Sequence, residues 1–400
     1  MTITSTTAKN LAEPAEKMPS ALIIGGGIGG LTAALAFRQK GWNVAVYEAA
    51  PELRPVGKGI WAPANAMQVL NELGLAAAVA EAGCPLDSIQ LRTKSGTVLS
   101  AFDLGPVKAQ YGQTTISIQR AALIGILAAA LPVGALHLGK RFSRFESGPD
   151  QVAAYFEDGS QAAGDLLVGA DGIHSVVREQ LFPGVKLRYS GQTCYRGISA
   201  MTLPSALTNT CWEVWGGHYR FGFSSIGHGQ VYWFAPVNAA AGGHAEPGEI
   251  AARLADWYAD FPSPIPEIIA ASRMTDVIRT DLFDFPPIPR WHEGRVVLIG
   301  DAAHAMTPNL GQGGAQAIED ARVLAEEFSK TGSAAQAFER FERIRMPKVK
   351  WVANTAWRLG QLAHVQNPLA RGLRDLALHW TPERVNRKQL ERLYRLERGQ

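Results

Sequence analysis

Three clusters in this 400-residue chain hold residue types that chemistry can use. In the first, Gly25-Gly26-Gly27-Ile28-Gly29-Gly30, the positions Gly25, Gly27 and Gly30 fit G-x-G-x-x-G. That spacing gives a tight turn, a backbone able to approach a pyrophosphate, and a helix packed closely on its strand. Gly29 lies in the same turn. Glu48 follows 21 residues after Gly27, where a carboxylate accepts hydrogen bonds from both hydroxyls of an adenosine ribose. The second cluster, Gly169-Ala170-Asp171-Gly172, puts a carboxylate directly after an apolar run. The third begins Gly300-Asp301-Ala302-Ala303-His304 and continues into Pro308-Asn309-Leu310-Gly311-Gln312-Gly313-Gly314-Ala315, a glycine-rich loop that opens a helix. Free N–H groups and the positive end of the dipole make such a helix start a site for anions. A dinucleotide site follows from the first cluster; the glycines and Glu48 do not distinguish FAD from NAD.

The elements that must position these residues are legible around them. Residues 21–24 read as a buried strand, 31–36 as the helix after the glycines, and 42–47 as a second strand closed by Glu48. The Pro- and Gly-containing loop 51–60 follows, so Ala49, Arg54 and Gly59 are candidates to line the cofactor site. Arg54 admits two readings, a partner for a cofactor phosphate or a solvated side chain. A short helix over 66–74 ends in glycine, and 86–103 alternates about a Ser95-Gly96 turn as a hairpin. Arg120 begins the helix over 121–131, where the dipole disfavours a cation. That placement points to a bound anion, with a solvated arginine as the alternative. Buried strands then deliver Asp171 and Asp301 to the carboxyl edge of a sheet, where open α/β sheets bind ligands. A turn-forming Asp-Gly is the plain alternative for Asp171. An isoalloxazine ring with its pyrimidine edge at the start of the helix that the third cluster opens, with Ile318, Ala321, Leu324 and Phe328 on one face, would have its reduced, anionic form stabilised. His304, in the loop after Asp301, reads as structural rather than as an acid–base residue.

Residues 187–240 change character. Nine of the 34 aromatic residues fall between 191 and 240, and their period is two: Tyr219, Phe221 and Phe223 share one face, Arg220, Gly222 and Ser224 the other. A mostly antiparallel sheet is expected, with an aromatic face that packs, walls a pocket for a flat apolar ligand, or both. A helix over 249–261 and a Pro-rich crossover at 285–291 lead back to the third cluster. A long basic helix over 335–362 carries Arg340, Arg343 and Arg345. Residues 365–400 hold eight Lys/Arg against four Asp/Glu. Their leucines, Leu369, Leu373 and Leu376, then Leu390, Leu393 and Leu396, are spaced for packing on the body, with contact to a membrane surface as the alternative.

Bulk composition narrows the function classes. Apolar residues make up 46% and charged residues 19%, as in ordinary globular proteins, and a net charge of +3 gives no reason to expect nucleic acid. Cys84, Cys194 and Cys211 have no metal spacing and suit buried thiols in a reducing cytoplasm. The histidines form no spaced ligand pair, so no metal is expected. No apolar run is long enough for stable membrane insertion. Residues 1–19 are polar and lack the apolar core of a signal peptide, and a flexible N-terminal extension is expected there.

The three clusters, in this order, resemble a group A flavoprotein monooxygenase, the family of single-component aromatic hydroxylases, over nearly the whole chain from residue 20. The Gly-Asp-Ala start and Gly-Gln-Gly-Gly loop of the third are especially similar to zeaxanthin epoxidase, salicylate hydroxylase and bacterial urate hydroxylase. The resemblance implies an α/β fold. A Rossmann-type FAD-binding domain would span 20–75, 105–186 and 287–362, an inserted, mostly antiparallel substrate-binding sheet 76–104 and 187–286, and a C-terminal helical segment 363–400. It implies FAD, with Glu48 on the adenosine ribose, Arg120 and Asp301 on the ribityl-pyrophosphate portion, and the 308–315 loop, with Pro308, Gly311, Gly313, Gly314 and Ala315, against the flavin ring. Asp171 falls in the region shared by FAD and nicotinamide; NADH or NADPH is the co-substrate, and a second G-x-G-x-x-G for it is absent. Arg220 and Tyr232 stand where urate hydroxylase-like members carry an Arg and a Tyr near flavin and substrate. Arg220, together with Arg196, would supply charge or hold a substrate anion. Trp61 and Ala62 stand where relatives vary and sometimes carry a pocket histidine.

The implied reaction is reduction of FAD by NAD(P)H, formation of a flavin C4a-hydroperoxide with O₂, and transfer of one oxygen to an aromatic or other electron-rich small molecule by a monomer or homodimer. A flavin-dependent oxidase, reductase or halogenase on the same scaffold is the first rival, although Trp212 and Trp215 stand three apart and miss the halogenase Trp-x-Trp-x-Ile-Pro. A non-catalytic ligand-binding flavoprotein is the second. No residue of the sequence identifies itself as the general base.

Overall fold

Apolar runs that end in glycine become the strands of the central sheet. In the computed structural model, which describes residues 18–53, 58–331 and 333–397, Ser20–Ile24 lies in the middle of six strands. Asn43–Tyr47 and Leu166–Gly169 flank it in parallel, and Leu136–His137 and Val296–Leu298 extend the sheet in parallel outside them. His292–Glu293 alone runs antiparallel, at the edge. Leu166, Leu167, Val168 and Val296 to Leu298 are fully buried, which is why these strands are continuously apolar rather than alternating. The chain leaves Ser20–Ile24 toward one neighbour and later returns to the other, so the carboxyl end of Ser20–Ile24 is a topological switch point. The turns carrying Gly25, Asp171 and Asp301 all follow parallel strands at that edge. The expected extension over residues 1–19 falls mostly outside the described residues, as does Arg54.

The second large sheet has seven strands, ordered Ile278–Asp284, Arg188–Ala200, Gln230–Asn238, Arg220–Gly227, Thr210–Trp215, Ser88–Thr93 and Val98–Asp103. All neighbours are antiparallel except Ser88–Thr93 with Thr210–Trp215. The 86–103 hairpin therefore extends the aromatic sheet rather than standing apart. The period of two has its expected result: Phe221, Phe223 and Trp233 pack with Tyr258 under the helices Pro247–Tyr258 and Ile265–Ala270, leaving Arg220 and Ser224 on the opposite face. A small sheet of Gly59–Ala62, Thr115–Gln119 and Gly83–Leu86 bridges the two large ones, and Ser117 hydrogen-bonds Ser224 at 2.8 Å across the join.

Helix Ala334–Ala363 runs along the outside, and the final segment is two helices, Pro368–His379 and Glu383–Tyr394. Leu390 and Leu393 are buried as the spacing predicted, and Leu396 is half-buried against the core. Leu369, Leu373 and Leu376 are not: they are 81%, 70% and 57% exposed. The Pro368–His379 helix is held instead from its other side, where buried Arg374 donates to the carbonyls of Leu362 and Ala363 at 3.2 and 3.1 Å. No helix among the described residues is long and apolar enough to cross a membrane.

Candidate functional site

A cavity of about 390 Å³ lies where the glycine turns meet the inner face of the seven-stranded sheet. Its floor is backbone. Gly25 has φ +110°, and a Cβ at Gly30 would lie 2.0 Å from the Gly25 carbonyl oxygen, so neither position admits a side chain. Gly27 and Gly29, at the start of helix Ile28–Gln39, line the cavity, and so do Gly313 and Gly314, at the start of helix Gly313–Lys330. Two helix N-termini thus converge on one space, an arrangement that favours negative charge from two directions.

Glu48 is fixed beside the glycine turn. Its Oε2 accepts from the Gly26 N–H at 2.7 Å and its Oε1 from the Ala50 N–H at 2.8 Å, which holds the carboxylate in one orientation. Arg120 lines the cavity with its Nε buried and without a hydrogen-bond partner among the described residues. Burial lowers its pKa, and Asp301, close by, raises it. Asp301 itself is raised by burial, against the lowering effects of His304 and Arg120. A buried, unpaired guanidinium N–H beside a carboxylate fits a ligand with phosphate and hydroxyl oxygens. Together with Glu48 and the glycine floor, these residues suit the pyrophosphate and sugar portions of a dinucleotide.

The wall is supplied by the small bridging sheet and by two inner strands of the seven-stranded sheet. Trp61, Cys194, Tyr232, Phe234 and Pro236 line it, with Met306 from the third cluster. Gly59 makes room for Tyr232: a Cβ there would lie 2.1 Å from the tyrosine Cγ. Burial pushes the Tyr232 phenol up to about 12, although Arg196 and Arg120 act to lower it. Arg196 also lines the cavity and forms no salt bridge among the described residues.

Arg220 is brought to the cavity but not as a free cation. It is 1% exposed; its Nε donates to Glu213 Oε1 at 2.8 Å, its Nη2 to the same oxygen, and its Nη1 to Asn309 Oδ1 at 2.9 Å. Glu213 thus offsets the charge expected of Arg220 at the cavity. Sequence reasoning missed Glu213 and Asn309. Asp171 also departs from expectation: its carboxylate turns away from the cavity to accept from Ser175 Oγ and the N–H groups of Val176 and Val177, at 2.5 to 3.1 Å. Its neighbours Ala170 and Gly172 line the cavity in its place. Ala315 is buried in the core behind the loop that Pro308, Gly311, Gly313 and Gly314 present. Ala49 is partly buried beside Glu48 and is not among the lining residues.

Beneath that loop lies a buried charged network. His304 Nε2 meets Asp320 at 2.6 Å, Arg345 bonds Asp320 at 2.8 Å and Glu319 at 2.6 Å, and Lys348 reaches Glu319 at 2.9 Å. Asn65 joins Glu319 to Gln312, a cavity-lining residue. Burial raises the Asp320 carboxyl, but His304 and Arg345 outweigh it and hold the group down at about 2. His304 thus has the structural place expected of it. Among the described residues no cluster of three or more His, Cys, Asp or Glu is placed to hold a metal ion.

The FAD binding domain family matches residues 18–354. The chain is 39% identical over 357 residues to an aurachin C monooxygenase/isomerase of Stigmatella aurantiaca, covering 88% of this chain and 92% of that one. It is 32% identical over 381 residues to a 2-heptyl-3-hydroxy-4(1H)-quinolone synthase of Pseudomonas aeruginosa, covering 93% and 97%. Its fold is similar to the crystal structure of Klebsiella pneumoniae HpxO complexed with FAD and uric acid, with a TM-score of 0.87, 30% identity and coverage of 94% and 96%.

Proposed function

Because the chain belongs to the FAD binding domain family and is an FAD-dependent monooxygenase, we propose that its substrate is a flat, electron-rich heteroaromatic ring that carries a ring N–H or O–H. The observation that carries this reading is the wall of Trp61, Tyr232 and Phe234 facing the 308–314 loop, beside an Arg220 already neutralised by Glu213, with Arg120 and Arg196 lining the same cavity. Relatives named for a quinolone product and for a bound uric acid support a fused nitrogen heterocycle.

Glu48 would hold the adenosine ribose, Gly27 to Gly30 the pyrophosphate, Arg120 and Asp301 the ribityl-pyrophosphate portion, and the 308–314 loop the ring system. Held by these residues, FAD would supply hydride acceptance from NADH or NADPH and the O₂ activation needed to deliver one oxygen atom to the substrate. The aromatic wall excludes water from that transfer, and the helix starting at Gly313 and Arg196, beside Cys194 and Tyr232, favour negative charge as it develops. The buried, unpaired cysteines support work in a reducing cytoplasm.

Purified yellow protein is assayed for NADH and NADPH oxidation with phenols, hydroxypyridines and 4-quinolones, following ¹⁸O from O₂ into product. Ring-stimulated oxidation with one labelled oxygen incorporated is expected. Hydrogen peroxide as the only oxygen product across the panel overturns the reading in favour of an oxidase.

A further inference from the structure

Glu213 is a carboxylate in a wall otherwise made of rings, sulfur and arginine. It lines the cavity from strand Thr210–Trp215, with its side chain 11% exposed. Burying a carboxylate is costly, and an ion pair kept only for structure uses both oxygens, most economically as two parallel bonds to one guanidinium. Here the bonding is lopsided. Trp215 Nε1 at 2.8 Å, Arg220 Nε at 2.8 Å and Arg220 Nη2 all converge on Oε1, and Oε2 receives no hydrogen bond among the described residues.

The free oxygen is held in place from behind. Arg220 is tied by Asn309 Oδ1 at 2.9 Å, and Tyr258 donates to the Arg220 carbonyl at 3.0 Å. Asn309 in turn donates to Thr307 Oγ1 and to the Ala356 carbonyl, both at 3.0 Å. Since Asn309 belongs to the 308–314 loop, the chain Glu213–Arg220–Asn309 sets the position of Oε2 relative to the loop expected to carry the flavin ring. The other carboxylate lining the cavity, Asp301, lies beside Arg120 in the third cluster, away from the sheet.

We propose that Glu213 Oε2 accepts the N–H or O–H of the substrate ring and takes its proton during hydroxylation, an inference that rests on the monooxygenase reading of the same cavity. As a ring carbon forms its bond to oxygen, the electron pair of the ring N–H or O–H bond stays on the heteroatom and becomes C=N or C=O. The proton released passes to Oε2. Loss of the hydrogen from the hydroxylated carbon as a proton, with return of the Oε2 proton to the heteroatom, then restores the aromatic ring. The oxidant is O₂ and the reductant NAD(P)H; the second oxygen atom leaves as water. Oε2 would also repel a ring carboxylate at this end of the pocket, so neutral donors are selected over anions.

The test uses FAD-loaded full-length protein with 4-quinolone and N-methyl-4-quinolone, which differ only in the donor. Binding to the oxidised protein is read from the flavin difference spectrum, and ¹⁸O incorporation is read separately. Wild type is expected to bind the N–H ring about tenfold or more tightly than the N-methyl ring, as a hydrogen bond to a charged acceptor implies. Glu213→Gln keeps an acceptor toward Arg220 and presents an amide N–H₂ to the ring, so the preference should vanish. Equal binding of the two rings by wild type, or a full preference retained in Glu213→Gln, overturns the assignment. The wild-type comparison stands alone if the variant fails to hold FAD. N–H preference without labelled product leaves Glu213 assigned and removes the monooxygenase reading; labelled product without N–H preference does the reverse.

Discussion

Replacing Arg345 with methionine tests whether the buried network beneath the glycine-rich loop is what fixes that loop. Arg345 is fully buried and donates to Asp320 Oδ1 at 2.8 Å, Glu319 Oε2 at 2.6 Å and Gln316 Oε1 at 2.7 Å. Methionine fills most of the volume but leaves two buried carboxylates with Lys348 and His304 as their remaining basic partners. Removing one partner from a buried pair typically costs about 3–5 kcal/mol. With an unfolding entropy of about 2.1 cal/mol/K per residue, roughly 0.84 kcal/mol/K for a chain of this length, the melting temperature should fall by about 4–6 °C. The cost should also reach the cofactor, because Asn65 and Gln316 hand the network to Gln312, and Asp320 accepts from the Gly300 N–H at 3.0 Å. Thermal melting followed by both ellipticity and flavin release separates the two effects, and FAD loss should precede unfolding in the variant. Adding Asp320→Asn, which removes the stranded charge and keeps an acceptor for His304, should recover more than about 1 kcal/mol. A melting temperature within 1 °C of wild type, or no recovery in the double variant, refutes the reasoning.

Three further outcomes follow from particular contacts. Gly59→Ala places a methyl where the Tyr232 ring now lies, so it should cost about 1–3 kcal/mol and shift the flavin absorbance of the loaded protein as the ring moves into the cavity; an unchanged melt and spectrum would show that the strand yields instead. His364 is buried with neither ring nitrogen hydrogen-bonded among the described residues, and burial, then Arg220, Arg374 and His218, push it down to about 2 from an ordinary 6.5. A depressed folded pKa gives stability that is present above 6.5 and lost as pH falls toward 2, by about 1.4 kcal/mol per pH unit for this group, so His364→Leu should flatten denaturant midpoints between pH 6.5 and 5. Leu373→Glu should change stability by no more than about 0.5 kcal/mol, since that side chain is 70% exposed; a loss of several kcal/mol in urea titration would mean the leucine is covered in solution.

The parallel sheet was legible because its signals are local. A glycine hexad between an apolar strand and a helix, and two strands ending in Gly-Asp or Gly-Ala-Asp, each state their own conformation within about ten residues, and the switch point follows from their order. The aromatic strands were legible for the same reason, since period two places Phe221 and Phe223 opposite Arg220 whatever the partner strand is. Leu369, Leu373 and Leu376 show where pattern stops being informative. Heptad-like spacing says that leucines share a face, and it says nothing about whether that face is covered; the choice was made by Arg374, one polar residue capping the preceding helix from the opposite side.

Charges inside the fold were harder to read for a related reason. Arg345 sits in a run with Arg340 and Arg343 that looks uniformly solvated, and only its packing against the 313–330 helix separates it from them. Asp171 and Asp301 end equivalent strands, yet Asp171 is taken up by the helix at 176–181 and Asp301 opens on the cavity, a difference set by whether Ser175 and free N–H groups stand within reach. Glu213 did carry a signal. Counting back from the Gly216-Gly217 turn pairs Trp215 with Arg220 and Glu213 with Gly222, so Glu213 and Arg220 are diagonal neighbours on one face of the sheet. Gly222 opposite Glu213 leaves that face open for the guanidinium to lie across, with Phe234 covering the glycine from the next strand. An acid, an arginine and a glycine at those register positions predict a neutralised pair at the pocket wall. The aromatic count alone, which drew attention to the same strands, could only predict a wall.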